Sequence, residues 1–264
     1  SIISDEMQSY GYEKVSYKEE ADIYVLNTCS VTENADKEAR KLIRKAQKLN
    51  PLAKIAVIGC YAQLQPDQIS KIPGVDLVLG AAEKFNLLSH LNSLNDTNES
   101  KIIRSSIKNI SSFQPSYTNG ERTRSYLKIQ DGCNYNCSFC TIPLARGISR
   151  SNTIENTVKI AQNIADSGAK EIVLTGINIG DFGSKKDENF LQLIMTLDNL
   201  KGIERFRISS IEPNLLDNEI ISFCAESSKF VPHFHIPLQS GSDSILKSMK
   251  RRYNADLYRS RVEY

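Results

Sequence analysis

Three cysteines fall within eight residues of the run Asp131-Gly-Cys-Asn-Tyr-Asn-Cys-Ser-Phe-Cys140. Thiolates are soft ligands, suited to zinc or iron–sulfur centres rather than to hard cations. A closed zinc site or an ordinary electron-transfer cluster takes four protein ligands. No fourth follows here: Cys224 lies in an apolar helical pattern, and the next histidines are His233 and His235. Three thiolates at the end of a strand can instead hold a [4Fe–4S] cluster by three of its irons. The fourth iron is then open to a small molecule. Zinc stays open as the alternative, in which the thiolates only stabilise an RNA-binding or scaffold fold; colour separates the two, since zinc protein is colourless and iron–sulfur protein brown.

Two further cysteines sit at strand ends. Cys29 follows Ala21-Asp-Ile-Tyr-Val-Leu-Asn27, and Cys60 closes Lys54-Ile-Ala-Val-Ile-Gly59. If these strands are parallel neighbours, both thiols emerge at the carboxyl edge, where open α/β sheets bind ligands. A pair of small buried hydrophobes is the competing expectation. Cys224 reads as core. Lys247, Lys250, Arg251 and Arg252 form a basic run that either meets RNA phosphates or is a solvated helix face.

The elements that must position these groups alternate. Residues 1–94 show a helix ending near Tyr10, strands at 21–27, 54–59 and 75–79, and helices at 33–49, 65–72 and 83–94. That alternation implies a parallel sheet with crossover helices. Residues 95–122, rich in Asn, Ser and Thr with a β-like Lys101-Ile-Ile-Arg104, read as a linker. From residue 123 strands are expected at 126–130, 171–175, 205–209 and 233–236, with helices at 153–168, 190–200, 217–225 and 242–249 and another opening at Asn254. These β/α units do not close a barrel. The fold class is therefore α/β: a parallel-sheet domain over 1–94, then an incomplete barrel over 123–264.

Composition is globular, with 40% hydrophobic and 24% charged residues and a net charge of +2. Such mild basicity permits a nucleic-acid partner without arguing for one. No apolar run reaches the length of a membrane span, and there is no secretory signal. Six cysteines are too sparse for a disulfide scaffold, which points to metal in a reducing compartment. The expected location is cytoplasmic.

Cys133-x-x-x-Cys137-x-x-Cys140, with Phe139 before the last cysteine, resembles the radical S-adenosylmethionine (SAM) signature. Cys140-Thr-Ile-Pro-Leu-Ala-Arg-Gly147, Arg150-Ser151, Leu174-Thr-Gly-Ile-Asn178, His235-Ile-Pro-Leu-Gln-Ser-Gly-Ser242 and Met249-Lys-Arg-Arg-Tyr253 resemble motifs of the methylthiotransferases, as do Asn27-Thr-Cys29 and Gly59-Cys60-Tyr-Ala-Gln63. The resemblance covers nearly the whole chain. It implies that SAM fills the open iron and that one electron cleaves it to methionine and a 5′-deoxyadenosyl radical. It also implies SAM contacts from Phe139, Gly176, Asn178, Ser210, Glu212, Arg146, His235 and Gln239, with Arg150 a further candidate for an anionic group. Cys29 and Cys60 become ligands of an auxiliary [4Fe–4S] cluster. Its third cysteine is expected in a Gly-Cys segment upstream of Ser1, so that cluster is expected to be absent or unstable in the chain as it stands.

The methylthiotransferases divide by target. Gly176-Ile-Asn-Ile-Gly-Asp-Phe-Gly183 resembles the group acting on threonylcarbamoyladenosine in tRNA; a prenylated tRNA adenosine and a ribosomal-protein aspartate are the alternatives. The implied mechanism uses SAM twice: once to methylate a sulfur at the auxiliary cluster, once to make the radical that removes hydrogen from the adenine carbon receiving the methylthio group. The implied partners are the tRNA anticodon loop, where the base is presented without melting a duplex, and an electron donor such as flavodoxin or ferredoxin. Further strands and a β-rich RNA-binding module are expected beyond Tyr264, so this chain is expected to bind tRNA weakly.

Overall fold

The structure, a computed structural model, describes residues 2–29, 33–94, 100–107, 110, 112–118, 124–184 and 187–264. It divides into two compact units, residues 1–110 with 144–147, and residues 111–143 with 148–264.

The first unit opens with α1 (Ile2–Ser9) and continues through β1 (Ile23–Thr28), α2 (Glu33–Leu49), β2 (Lys54–Gly59), α3 (Cys60–Leu64), α4 (Pro66–Ser70) and β3 (Leu77–Leu79). A 3₁₀ turn, Glu83–Asn86, leads into α5 (Leu87–Asn92). The helix expected over 65–72 is observed as α4, shorter at both ends, and α3 is an additional helix before it. Pro66 has no N–H to continue the turn begun at Cys60 and sits at the first position of a new helix. The sheet is parallel, in the order β1-β2-β3-β4, where β4 is Lys101–Ile103. The span read as linker therefore supplies a strand. Its Lys101 N–H bonds the Asp76 carbonyl at 2.8 Å and extends the ladder beside β3.

β2 explains why sequence alternation is missing there. Ile55 and Val57 join one core with Ile43, Ala46 and Tyr61; Ala56 and Ile58 join another with Leu77, Leu79 and Leu87. A strand covered on both faces needs apolar residues at every position.

The second unit is built on β6 (Arg124–Lys128), β9 (Glu171–Thr175) and β10 (Arg205–Ile208), mutually parallel, with β5 (Ser116–Tyr117) antiparallel on the outer edge of β6. A two-stranded ribbon, β7 (Gln130–Asp131) with β8 (Arg150–Ser151), flanks the cysteine loop, and α6 (Ile142–Arg146) follows that loop. α7 (Ile154–Asp166), α8 (Phe190–Asp198) and α9 (Asn218–Glu226) alternate with the strands. Each has a side-chain N-cap: Thr153, Asn189 within a capping box, and Asp217. α10 (Asp243–Ser248) and α11 (Ala255–Glu263) end the chain. The open α/β architecture matches the expectation; no closed barrel forms among the described residues.

The strand expected at 233–236 is reduced to one bridge, Ser210 with His235. The His233 N–H turns back to the Val231 carbonyl at 2.7 Å, and Pro232 and Pro237 remove ladder donors on either side. Phe234 and Ile236 still pack inward, while His233 and His235 are exposed.

Glu171 ties the start of this sheet together. Arg207 Nε reaches it at 2.7 Å, Arg205 at 3.1 Å and Arg124 at 3.9 Å. Burial pushes its carboxyl upward, but the arginines outweigh that and hold it below the usual range. A depressed folded value means that the stabilisation is present above the unfolded carboxyl's range and disappears as pH falls through the folded value. Glu171→Gln is expected to cost roughly 1–2 kcal/mol at pH 7, discounting the half-exposed arginines. In urea titrations across pH, the gap from wild type should close below the ordinary glutamate range, near about pH 4.

Candidate functional site

In the first unit, β1 and β2 pair in parallel with Thr28 opposite Gly59. Cys29 and Cys60 each follow one member of that pair, so both leave the sheet at one carboxyl edge. Cys29 is exposed and Cys60 is buried. Gly59 makes this approach feasible. Its φ is +102°, and a Cβ there would stand 2.4 Å from the Thr28 carbonyl oxygen.

In the second unit the cysteine loop leaves β7 and is anchored from several sides. Gln130 is fully buried. Its Nε2 donates to the Gly132 carbonyl at 2.8 Å and to Ser149 Oγ at 3.0 Å; its Oε1 accepts from the Ile177 and Asn178 N–H groups at 3.0 and 2.9 Å. One side chain thus joins the loop after β7 to the loop after β9. Gly176 leaves room for it: a Cβ there would lie 3.1 Å from the Gln130 carbonyl oxygen and 2.8 Å from Ile179 Cγ2. Asp131 accepts from Arg150 Nη2 at 3.3 Å, an ion pair with both side chains largely buried. Arg150, the further candidate for an anionic group, is thus already engaged by a carboxylate of the chain itself.

The segment 249–253 closes over the loop. The Ser138 N–H reaches the Met249 carbonyl at 3.2 Å, and Arg252 Nη2 reaches the Asn134 carbonyl at 3.0 Å. The Arg252 guanidinium lies 4.0 Å from the centre of the Tyr135 ring. Arg251, with its side chain only 5% exposed, pairs with Glu212 and donates to Cys137 Sγ at 3.3 Å. Of this basic run, Arg251 alone is directed inward, by α10 and the turn at Lys250, whose φ is 57°, while Lys247, Lys250 and Arg252 stay exposed. Burial pushes the Glu212 carboxyl up, and Arg251 opposes it.

The three thiols share this loop. Burial pushes Cys133 up; the Tyr135 N–H, 3.4 Å from its sulfur, works against that, and Cys140, Cys137 and Asp181 add to it. Sulfurs and a carboxylate this close repel one another as anions, and a cationic centre would relieve the repulsion. No three His, Cys, Asp or Glu side chains among the described residues are arranged around the point one metal ion would occupy. An iron–sulfur cluster spreads its ligands over several ångströms, which suits this donor set better. Around the loop lie buried polar atoms that complete no hydrogen bond among the described residues: both amide atoms of Asn178 (beside the Tyr135 hydroxyl), Ser209 Oγ, Asn214 Oδ1 and Arg251 Nε. Such atoms cost about 1–3 kcal/mol each unless a polar ligand meets them. The donor set and its surroundings fit a cluster with a polar small molecule beside it.

Of the other expected site residues, Phe139 is exposed beside Cys140, and Ser210 bridges His235, whose carbonyl accepts from the Ile211 N–H at 3.1 Å. Gln239 is exposed with φ 60°, a left-handed conformation uncommon for such a residue. Its loop is held by the Tyr253 hydroxyl, which donates to the Pro237 carbonyl at 2.6 Å. Arg146 ends α6, in the segment grouped with the first unit. Cys224 is core as expected, its thiol pushed up to about 12 by burial and then by Asp198.

Sequence inspection missed Gln130, Tyr135, Asp181 and Asn214. Asn214 Nδ2 donates to the Tyr135 hydroxyl at 2.7 Å, a part-buried bond between residues 79 apart in sequence. Only Tyr135 gave a signal, as an aromatic between ligands.

Residues 1–80 match the uncharacterized protein family UPF0004, and residues 127–264 match the Radical SAM superfamily. The threonylcarbamoyladenosine tRNA methylthiotransferase MtaB of Bacillus subtilis is 43% identical over 96% of this chain and 57% of that protein. Its Aquifex aeolicus counterpart is 38% identical over 100% of this chain and 65% of its own length. The tRNA-2-methylthio-N(6)-dimethylallyladenosine synthase of Lawsonia intracellularis is 35% identical over 97% of this chain and 60% of that protein. The chain thus spans less than two thirds of each of these relatives. Among solved structures, the radical S-adenosylmethionine methyltransferase TsrM of Kitasatospora setae superposes with a TM-score of 0.60 at 12% identity, over 93% of this chain and 56% of that one, a likeness of fold.

Proposed function

From the premise that the chain belongs to the Radical SAM superfamily, we propose that it is the catalytic part of a tRNA methylthiotransferase. Its substrate is the adenine of threonylcarbamoyladenosine beside the anticodon. The observation that carries this is the loop with Cys133, Cys137 and Cys140, three thiols with no fourth and a rim of unmatched polar atoms.

Those cysteines would hold a [4Fe–4S] cluster and leave it a place for SAM. Together they supply the one-electron chemistry that activates an unreactive C–H bond. Arg251 holds the Cys137 sulfur through its N–H. Asn178, Ser210 and Glu212, at the carboxyl ends of β9 and β10, supply polar contacts to SAM; Gly176 keeps the backbone close, and Phe139, Arg146, His235 and Gln239 complete the set. Cys29 and Cys60 are two ligands of the auxiliary cluster, emerging side by side at one sheet edge. The redox partner would be an electron donor such as flavodoxin or ferredoxin.

The Bacillus and Aquifex relatives named for threonylcarbamoyladenosine are more similar than the Lawsonia relative, which keeps a prenylated adenosine as the second substrate. The test uses the protein expressed from its full reading frame, reconstituted anaerobically with iron and sulfide and supplied with SAM and a reductant. Mass analysis of digested tRNA should show a methylthio group gained on threonylcarbamoyladenosine. Gain only on the prenylated nucleoside reassigns the substrate; gain on neither, with both clusters assembled, refutes the proposal.

A further inference from the structure

α2 carries Lys37, Arg40, Lys41, Arg44, Lys45 and Lys48, and these six side chains line one open groove. Across α2 three carboxylates, Glu33, Asp36 and Glu38, oppose these six cations, so the helix is net +3 in a chain of net +2, and everything outside it is net −1. The positive charge is therefore concentrated on one helix. The other side of α2 is fixed in the core by Ala39, Ile43 and Ala46, so the cations have no inward alternative. They come in ranks, Lys37, then Arg40 with Lys41, then Arg44 with Lys45, then Lys48, about one rank per turn of 5–6 Å. Lys41 lies 3.8 Å from Glu38 with its side chain 79% exposed, a pair that water screens.

Resting on the methylthiotransferase reading, we infer that this face of α2 is a contact surface for the sugar–phosphate backbone of the tRNA. A nucleic-acid strand presents a negative charge about every 3.4 Å along its axis, and a row of cations spanning four ranks neutralises several of them. An acidic protein is the other class of partner with the right sign. Protein interfaces, however, centre on apolar or aromatic anchors and are depleted in lysine. α2 offers no exposed large hydrophobic side chain, and four of its six cations are lysines. The contact orients the RNA without reading its sequence.

The experiment measures binding of fluorescent tRNA to the reconstituted protein across a KCl series. The triple variant Arg40→Gln/Arg44→Gln/Lys48→Gln is compared with wild type and with a control, Lys71→Gln/Lys159→Gln/Lys201→Gln, which removes equal charge elsewhere. Circular dichroism confirms that both variants fold. The α2 variant should reduce the slope of log affinity against log salt by about two units, and the control should leave it near the wild-type value. Equal slopes for the two variants overturn the inference. So does unchanged tRNA binding with slowed reduction by an acidic flavodoxin, which would give the face to a redox protein. Binding through α2 without any methylthio transfer keeps this inference and sinks the proposed activity; transfer with α2-independent binding does the reverse.

Discussion

Replacing any one of Cys133, Cys137 and Cys140 with alanine is expected to abolish activity and to leave the protein without its radical-generating cluster. Each thiol is a third of a ligand set that has no spare: Cys224, the remaining cysteine of this unit, is buried in the core of α9 with its thiol pushed up to about 12. Loss of one thiolate from a set of three removes a covalent anchor and adds a second open iron. The readout is iron content and visible absorbance after anaerobic reconstitution, so the outcome does not depend on turnover. A single alanine variant that keeps wild-type absorbance and iron from this loop would show that the thiols have another purpose. Folding should survive, because Cys133 and Cys140 are only partly buried and the loop is anchored by Gln130 and Ser149 rather than by sulfur.

The second large effect concerns Arg251. Arg251→Met leaves Glu212 buried without its cation, and breaking a buried pair from one side costs about 3–5 kcal/mol. The double variant Arg251→Met/Glu212→Gln should recover most of that, since neither charge is then left alone. Arg251→Lys keeps the charge but loses the planar fork that spans Glu212 and the Cys137 sulfur. An N–H donated to a ligating sulfur stabilises the reduced cluster. Both single variants should therefore lower the cluster's reduction potential in a spectroscopic redox titration, while only the methionine variant collapses in denaturation. An unchanged potential in Arg251→Lys would confine the residue to a structural role.

The legibility of this chain follows the range of the forces involved. β2 and α2 were placed to the residue because buried apolar runs and helix-forming, Lys-rich segments are local signals. The cysteine loop was legible because spacing alone constrains a ligand set. β4 was legible only as a β-like insert, Lys101–Arg104, in a span read as linker, since a three-residue strand is decided by its partner β3 and not by its own composition. The strand expected at 233–236 failed for the converse reason: its alternation is real in burial, but flanking prolines deny it a ladder. Arg251 resembled part of a solvated run because charge alone carries no direction; its inward course depends on Glu212, 39 residues away in sequence.

Gln130 has a consequence for motion. Its amide is committed at both ends, to the segment that carries the ligating sulfurs and to the one that leaves β9. Neither segment can fluctuate open without breaking the other's bonds, so the two behave as one cooperative unit, with a single free energy of opening rather than two independent ones. The cysteine segment thereby borrows rigidity from the parallel strands, although it contains no regular structure of its own.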